Sequence, residues 1–98
     1  MYSVKIGPFH YNIYYSANVK NDRGEAVDGY LAHDQNRITI DDGMCQEAKL
    51  QVLLHEIIHE GIEIQRGQDV GEGLIDAIAY CWIEVMRENP DLVRMITK

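Results

Sequence analysis

From Gln46 to Ile64, Leu50, Val52, Leu53, Leu54, Ile57, Ile58, Ile62 and Ile64 recur at three- and four-residue intervals. That period belongs to an amphipathic α-helix and not to a strand. At 1.5 Å per residue such a helix is roughly 28 Å long, about the width of a small domain. In a chain of 98 residues the remaining elements must therefore pack along it. Set into the stretch is His55-Glu56-Ile57-Ile58-His59, an HExxH pentapeptide. Residues four apart on a helix share a face, with Cβ atoms roughly 5–6 Å apart. Two imidazoles placed so can converge on one Zn2+ at about 2.0–2.1 Å. Glu56 stands about 100° further round, beside the metal, where a general base for an activated water belongs. Ile57 and Ile58 turn towards the core. The alternative is a pair of buried histidines with ordinary hydrogen-bond partners, since unpartnered burial costs a few kcal/mol.

A third ligand comes thirteen residues after His59, in Glu72-Gly73-Leu74-Ile75-Asp76 at the start of a second helical pattern. Glu72 and Asp76 share a face, as the histidines do. A carboxylate from Glu72 completes a His2Glu set and leaves a fourth position open, the arrangement of a catalytic zinc rather than a structural one. Asp76, one turn on, is placed to hold the outer nitrogen of a ligand histidine. Asp69 offers a competing explanation, in which it caps the helix and Glu72 is the distal member of a capping box. Glu60 and Glu63 are rival ligands, but both follow His59 closely on the same rigid helix. Tyr80, one turn beyond Asp76, is the first candidate to donate to an oxyanion, with His33 and Tyr30 as others.

These residues carry a resemblance. His55 to Glu60 in an apolar helix, then Glu72-Gly73-Leu74-Ile75-Asp76 leading into a helix that ends at Arg87-Glu88-Asn89-Pro90, resembles the ImmA/IrrE-type metallopeptidases. Gly29 to Asp34 and Arg37 to Asp41 resemble the strand pair ahead of the zinc helix in small phage and mobile-element members of that gluzincin-like group. The likeness covers about residues 29 to 96, and its specific part is HExxH with the Glu72/Asp76 pair. It implies a minimal zincin-like core, zinc held by His55, His59 and Glu72, and Glu56 as the base in peptide-bond hydrolysis. It also implies a regulatory or repressor-type protein as substrate. The segment from His59 to Glu72 is shorter than in larger gluzincins, and substrate-positioning domains of longer relatives have no counterpart in this chain. Two other readings stand beside it: a zinc-bound but catalytically idle protein that engages a regulator, and a zinc hydrolase acting on a non-peptide substrate.

The rest of the chain reads as β-structure followed by helix. Val4 to Ile6 and Tyr11 to Tyr15 are short strands about the turn signal Gly7-Pro8. Asn18 to Asp28 is a polar loop, and Gly29 to Asp34 with Arg37 to Asp41 reads as a hairpin. Ile38 to Asp41 is a candidate edge strand on which an extended peptide could pair. Helices follow at Glu72 to Glu88 and Pro90 to Ile96, separated by Asn89-Pro90. The expected fold is a single α+β domain over residues 1–98, with about four short strands in a mostly antiparallel sheet, two main helices and a short third. A formal charge of −7 argues against nucleic acid as partner. With no signal-like N-terminus and no apolar run near 20 residues, the expectation is a cytoplasmic monomer or small homo-oligomer acting on a protein or peptide. Cys45 and Cys81 are expected to be reduced, Cys81 as a small core residue.

Overall fold

The computed structural model describes residues 3–67 and 70–97. Four strands, β1 (Ser3–Ile6), β2 (Phe9–Ser16), β3 (Gly29–Ala32) and β4 (Arg37–Asp41), precede α1 (Gln46–Arg66), α2 (Glu72–Glu88) and α3 (Pro90–Ile96). The architecture is α+β, as the order of sequence patterns requires. Asp69 lies outside the described residues. Gly71 occupies the cap position of α2 and Glu72 is its first residue, so Glu72 does not stand at the third helical position of a capping box.

The sheet runs β1-β2-β4-β3. β1 and β2 form an antiparallel hairpin, with Gly7 at φ +58° in the turn, a conformation that glycine adopts without steric cost. β3 and β4 are also antiparallel. The central pairing is parallel: Ile13 lies opposite Ile38 and Tyr15 opposite Ile40. The sheet is therefore mixed, with two antiparallel pairings about one parallel pairing. This order corrects the edge-strand expectation. β4 is interior, between β2 and β3, and the edges are β1 and β3. β3 also stops at Ala32, because His33–Gln35 form a 3-10 turn. Asn36 then reverses the chain at φ 49°, in the left-handed region that asparagine tolerates better than most residues.

Alternation along the strands sends Ile6, Tyr11, Ile13, Ile38 and Ile40 to one face, where they meet Val52 and Leu53 of α1 in one core. Ile57 and Ile64 pack against its margin, whereas Ile58 is half-buried and outside that cluster. Helix α1 runs two residues beyond the expected Ile64, and Gly67 closes it in the left-handed conformation, its N–H donating to Glu63 O at 2.7 Å. Helix α2 lies against α1 through Ile75 and Ala79, both fully buried. Cys81 sits on the exposed side of α2, not in the core, and Cys45 is exposed as well.

Candidate metal centre

The histidine-bearing face of α1, the first turns of α2 and the edge strand β3 enclose a cleft of about 500 Å3. His55, Glu56, His59, Glu72 and Asp76 all line it. Five residues singled out by spacing are thus brought to one place from two helices.

His55 lies between two carboxylates. Its Nδ1 is 2.7 Å from Asp76 Oδ1, and its Nε2 is 2.6 Å from Glu72 Oε2. Since a carboxylate only accepts, Nδ1 carries a proton and donates it to Asp76. That leaves Nε2 as the atom with a lone pair for a metal. A lone pair on Nε2 and a carboxylate oxygen cannot face each other at 2.6 Å without a cation between them, either a second proton or a metal ion. The second oxygen of Glu72 is 3.4 Å from His59 Nε2, so one carboxylate faces both ligand nitrogens. This donor set, two imidazole nitrogens with a shared carboxylate and an outer carboxylate on one ring, fits Zn2+. The set is open rather than closed: the ring centroids of His55 and His59 are 6.1 Å apart and tilted by 42°.

Asp76 is secured twice. It also accepts from Gln51 Nε2 at 2.9 Å, and Gln51 stands one turn before His55 on the same stripe. The bonds from His55 and then Gln51 hold the Asp76 carboxyl below the usual carboxylate range. Glu56 is half-buried. Burial pushes its carboxyl above the usual range, against the opposite pull of His55 and His59. A carboxyl displaced in that direction keeps a captured proton more readily.

The rival ligands point elsewhere. Glu60 is only 3% exposed, and one of its oxygens accepts from the Tyr11 hydroxyl and lies 3.0 Å from His33 Nδ1. Burial first, then the bond to Glu60, pushes the Tyr11 phenol well above its usual range. Glu63 comes to 3.9 Å from the outer nitrogen of His59. Among the described residues, His33, Glu60 and Glu63 form the one triad whose ligand atoms all lie within 4.8 Å of one another. In the His55–His59–Glu72 set, by contrast, both histidines turn Nε2 to the same carboxylate. Tyr80 is 61% exposed and lies outside the cleft lining, whereas Tyr30 and His33 are part of it.

Spacing on α1 carried a signal for Gln51, four residues before His55. Tyr11 carried none, since it meets Glu60 across 49 residues of sequence. No protein-family model matches this chain, and neither a curated protein nor a solved structure matches it significantly.

Proposed function

We propose that this chain is a zinc-dependent hydrolase of peptide bonds, as its resemblance to the ImmA/IrrE-type metallopeptidases implies. The observation that carries the reading is His55, held by Asp76 on one nitrogen while its other nitrogen and that of His59 face Glu72. His55, His59 and Glu72 would hold the ion. When bound, zinc supplies Lewis acidity, which makes water nucleophilic near neutral pH and stabilises charge developing on a carbonyl oxygen. Glu56 takes the proton from the attacking water and passes it to the leaving amine. Its raised affinity for protons suits the first half of that transfer. Asp76 and Gln51 keep the His55 ring in the tautomer and orientation that a ligand needs.

Edge strand β3 contributes Gly29, Tyr30 and Leu31 to the cleft wall. An extended peptide running beside it could pair with unused backbone groups and bring one bond to the histidines. The proposed setting is the cytoplasm, with a regulatory protein as the natural target. No helix among the described residues is long and apolar enough to cross a membrane.

The test is a pair of measurements on purified protein. Wild type should bind close to one zinc per chain and cleave members of a quenched-fluorescence peptide library. Glu56→Gln should keep the zinc and lose cleavage, because it removes the base and no ligand. A wild type with no affinity for zinc, or a Glu56→Gln protein that cleaves as well as wild type, overturns the reading.

A further inference from the structure

Hydrolysis of a peptide bond needs a hydrogen-bond donor where charge develops on the carbonyl oxygen. The cleft is poor in donors. Six carboxylates line it, from Asp28, Glu56, Glu60, Glu63, Glu72 and Asp76, with no lysine or arginine among the lining residues. Gln51 is engaged by Asp76, and His55 and His59 face carboxylates at the metal centre. Tyr30 and His33 remain. The Tyr30 hydroxyl has no partner among the described residues to fix it, whereas His33 is held by a buried pair.

That pair is costly to maintain. Glu60 and Tyr11 are 3% and 2% exposed, and a buried carboxylate is stabilised only by good hydrogen bonds. Apolar residues of similar volume would serve the core as well, so packing alone does not account for them. The Tyr11 hydroxyl from β2 and His33 Nδ1 from the 3-10 turn after β3 both meet one carboxylate oxygen. The imidazole is thereby held at its Nδ1 edge, 3.0 Å from Glu60, while most of the ring stays open, its side chain 62% exposed. Doubly protonated, it presents Nε2–H as a charge-assisted donor. The groups that face it across α1 are the carboxylates of Glu60 and Glu63, and no cation opposes it from the cleft lining.

We propose that His33 is a catalytic residue that donates to the substrate carbonyl oxygen, with Tyr11 and Glu60 as the positioning residues that hold it. The proposal rests on the hydrolase reading above and adds to it the residue that the metal ligands and Glu56 do not supply. Removing one such donor lowers kcat by about 100- to 1000-fold.

Two readouts test it on zinc-loaded protein. The first is a long-range proton–nitrogen spectrum of the four histidines, which reads ring tautomers directly. Wild-type His33 should show both ring nitrogens protonated, and the Tyr11→Phe/Glu60→Leu double variant, which leaves no buried polar atom behind, should lose that signature. The second is cleavage of the peptide library. His33→Ala should lower kcat about 100-fold or more with KM nearly unchanged, and the double variant should move kcat in the same direction. A wild-type His33 in which either ring nitrogen carries no proton overturns the proposal. A His33→Ala protein with normal kcat, or one altered only in KM, overturns the catalytic role while Glu56→Gln still upholds the hydrolase. A wild type that binds zinc and cleaves nothing overturns both readings together.

Discussion

At Gly29 the sheet lies close against the histidine-bearing helix, and Gly29→Ala measures how tightly they are joined. A Cβ at Gly29 would stand 2.6 Å from Val52 Cγ1 and 3.4 Å from Ile40 Cδ1. Carbon atoms rest at about 3.5–4.0 Å, so roughly 1 Å of separation must be found. Val52 cannot swing away, because a β-branched side chain on a helix has one strongly preferred rotamer. Ile40 is fully buried behind it. Either β3 or α1 must move as a body. Overpacking of this kind costs about 1–3 kcal/mol, offset by about 0.4–1 kcal/mol from the stiffer unfolded chain. The net loss is about 1–2 kcal/mol, equivalent to roughly 5–15 °C in Tm for a domain of this size. Urea unfolding should show the midpoint falling with the slope unchanged. Since Val52 stands one turn before His55 and Glu56, zinc affinity should fall in the same variant. Adding Val52→Ala to Gly29→Ala should restore part of the loss, with a coupling of about 1 kcal/mol. A neutral or stabilising Gly29→Ala, or a strictly additive double variant, would refute the steric argument.

Glu72→Ala should approach His55→Ala and His59→Ala in loss of zinc affinity, while Asp76→Asn should cost only about 10–100-fold in affinity; calorimetric zinc titration of the four variants checks the order. Ile75→Val, at a fully buried contact between α2 and α1, should destabilise by about 0.5–1.5 kcal/mol, read from the denaturant midpoint. Tyr11 is held neutral in the fold, its phenol pushed above the unfolded value of about 10 by burial and then by Glu60. The stability this contributes is complete below pH about 10 and is lost as pH rises towards the folded-state value. Phenolate absorbance should therefore show one of the six tyrosines ionising only as the protein unfolds, a step absent from Tyr11→Phe.

Local pattern accounts for most of the elements. Apolar spacing marked α1 from its first residue, and Asn89-Pro90 marked the break where Asn89 now donates to Val85 O at 2.9 Å. Helical geometry also made the His55/His59 and Glu72/Asp76 faces legible, because positions four apart share a side whatever the tertiary fold. What lay beyond reading was the long-range pairing. No turn chemistry records that Ile13 lies parallel to Ile38, so the interior place of β4 and the edge role of β3 stayed hidden. The same holds for Tyr11 and Glu60, whose meeting depends on how the sheet lies on α1. Cys81 misled because its neighbours Ile78, Ala79 and Trp82 are apolar, although only Ala79 among them is fully buried.

The proposed ligands are divided between two parts of unequal hold. The sheet and α1 share a continuous core, whereas α2 is fastened by Ile75, Ala79 and, at its far end, two hydrogen bonds from Arg87 to Glu47 at 3.0 and 2.6 Å. Such a helix is a natural cooperative unit of its own, able to open at lower free energy than the whole domain. An ion shared by His55, His59 and Glu72 would bind the closed arrangement and not the open one. It would then act as a clasp, adding RT ln(1 + [L]/Kd) to the closing of α2, about 2.7 kcal/mol at a hundredfold excess over Kd. Amide exchange along α2 would consequently report metal supply, slow in its presence and fast without it, while the strands stayed protected in both.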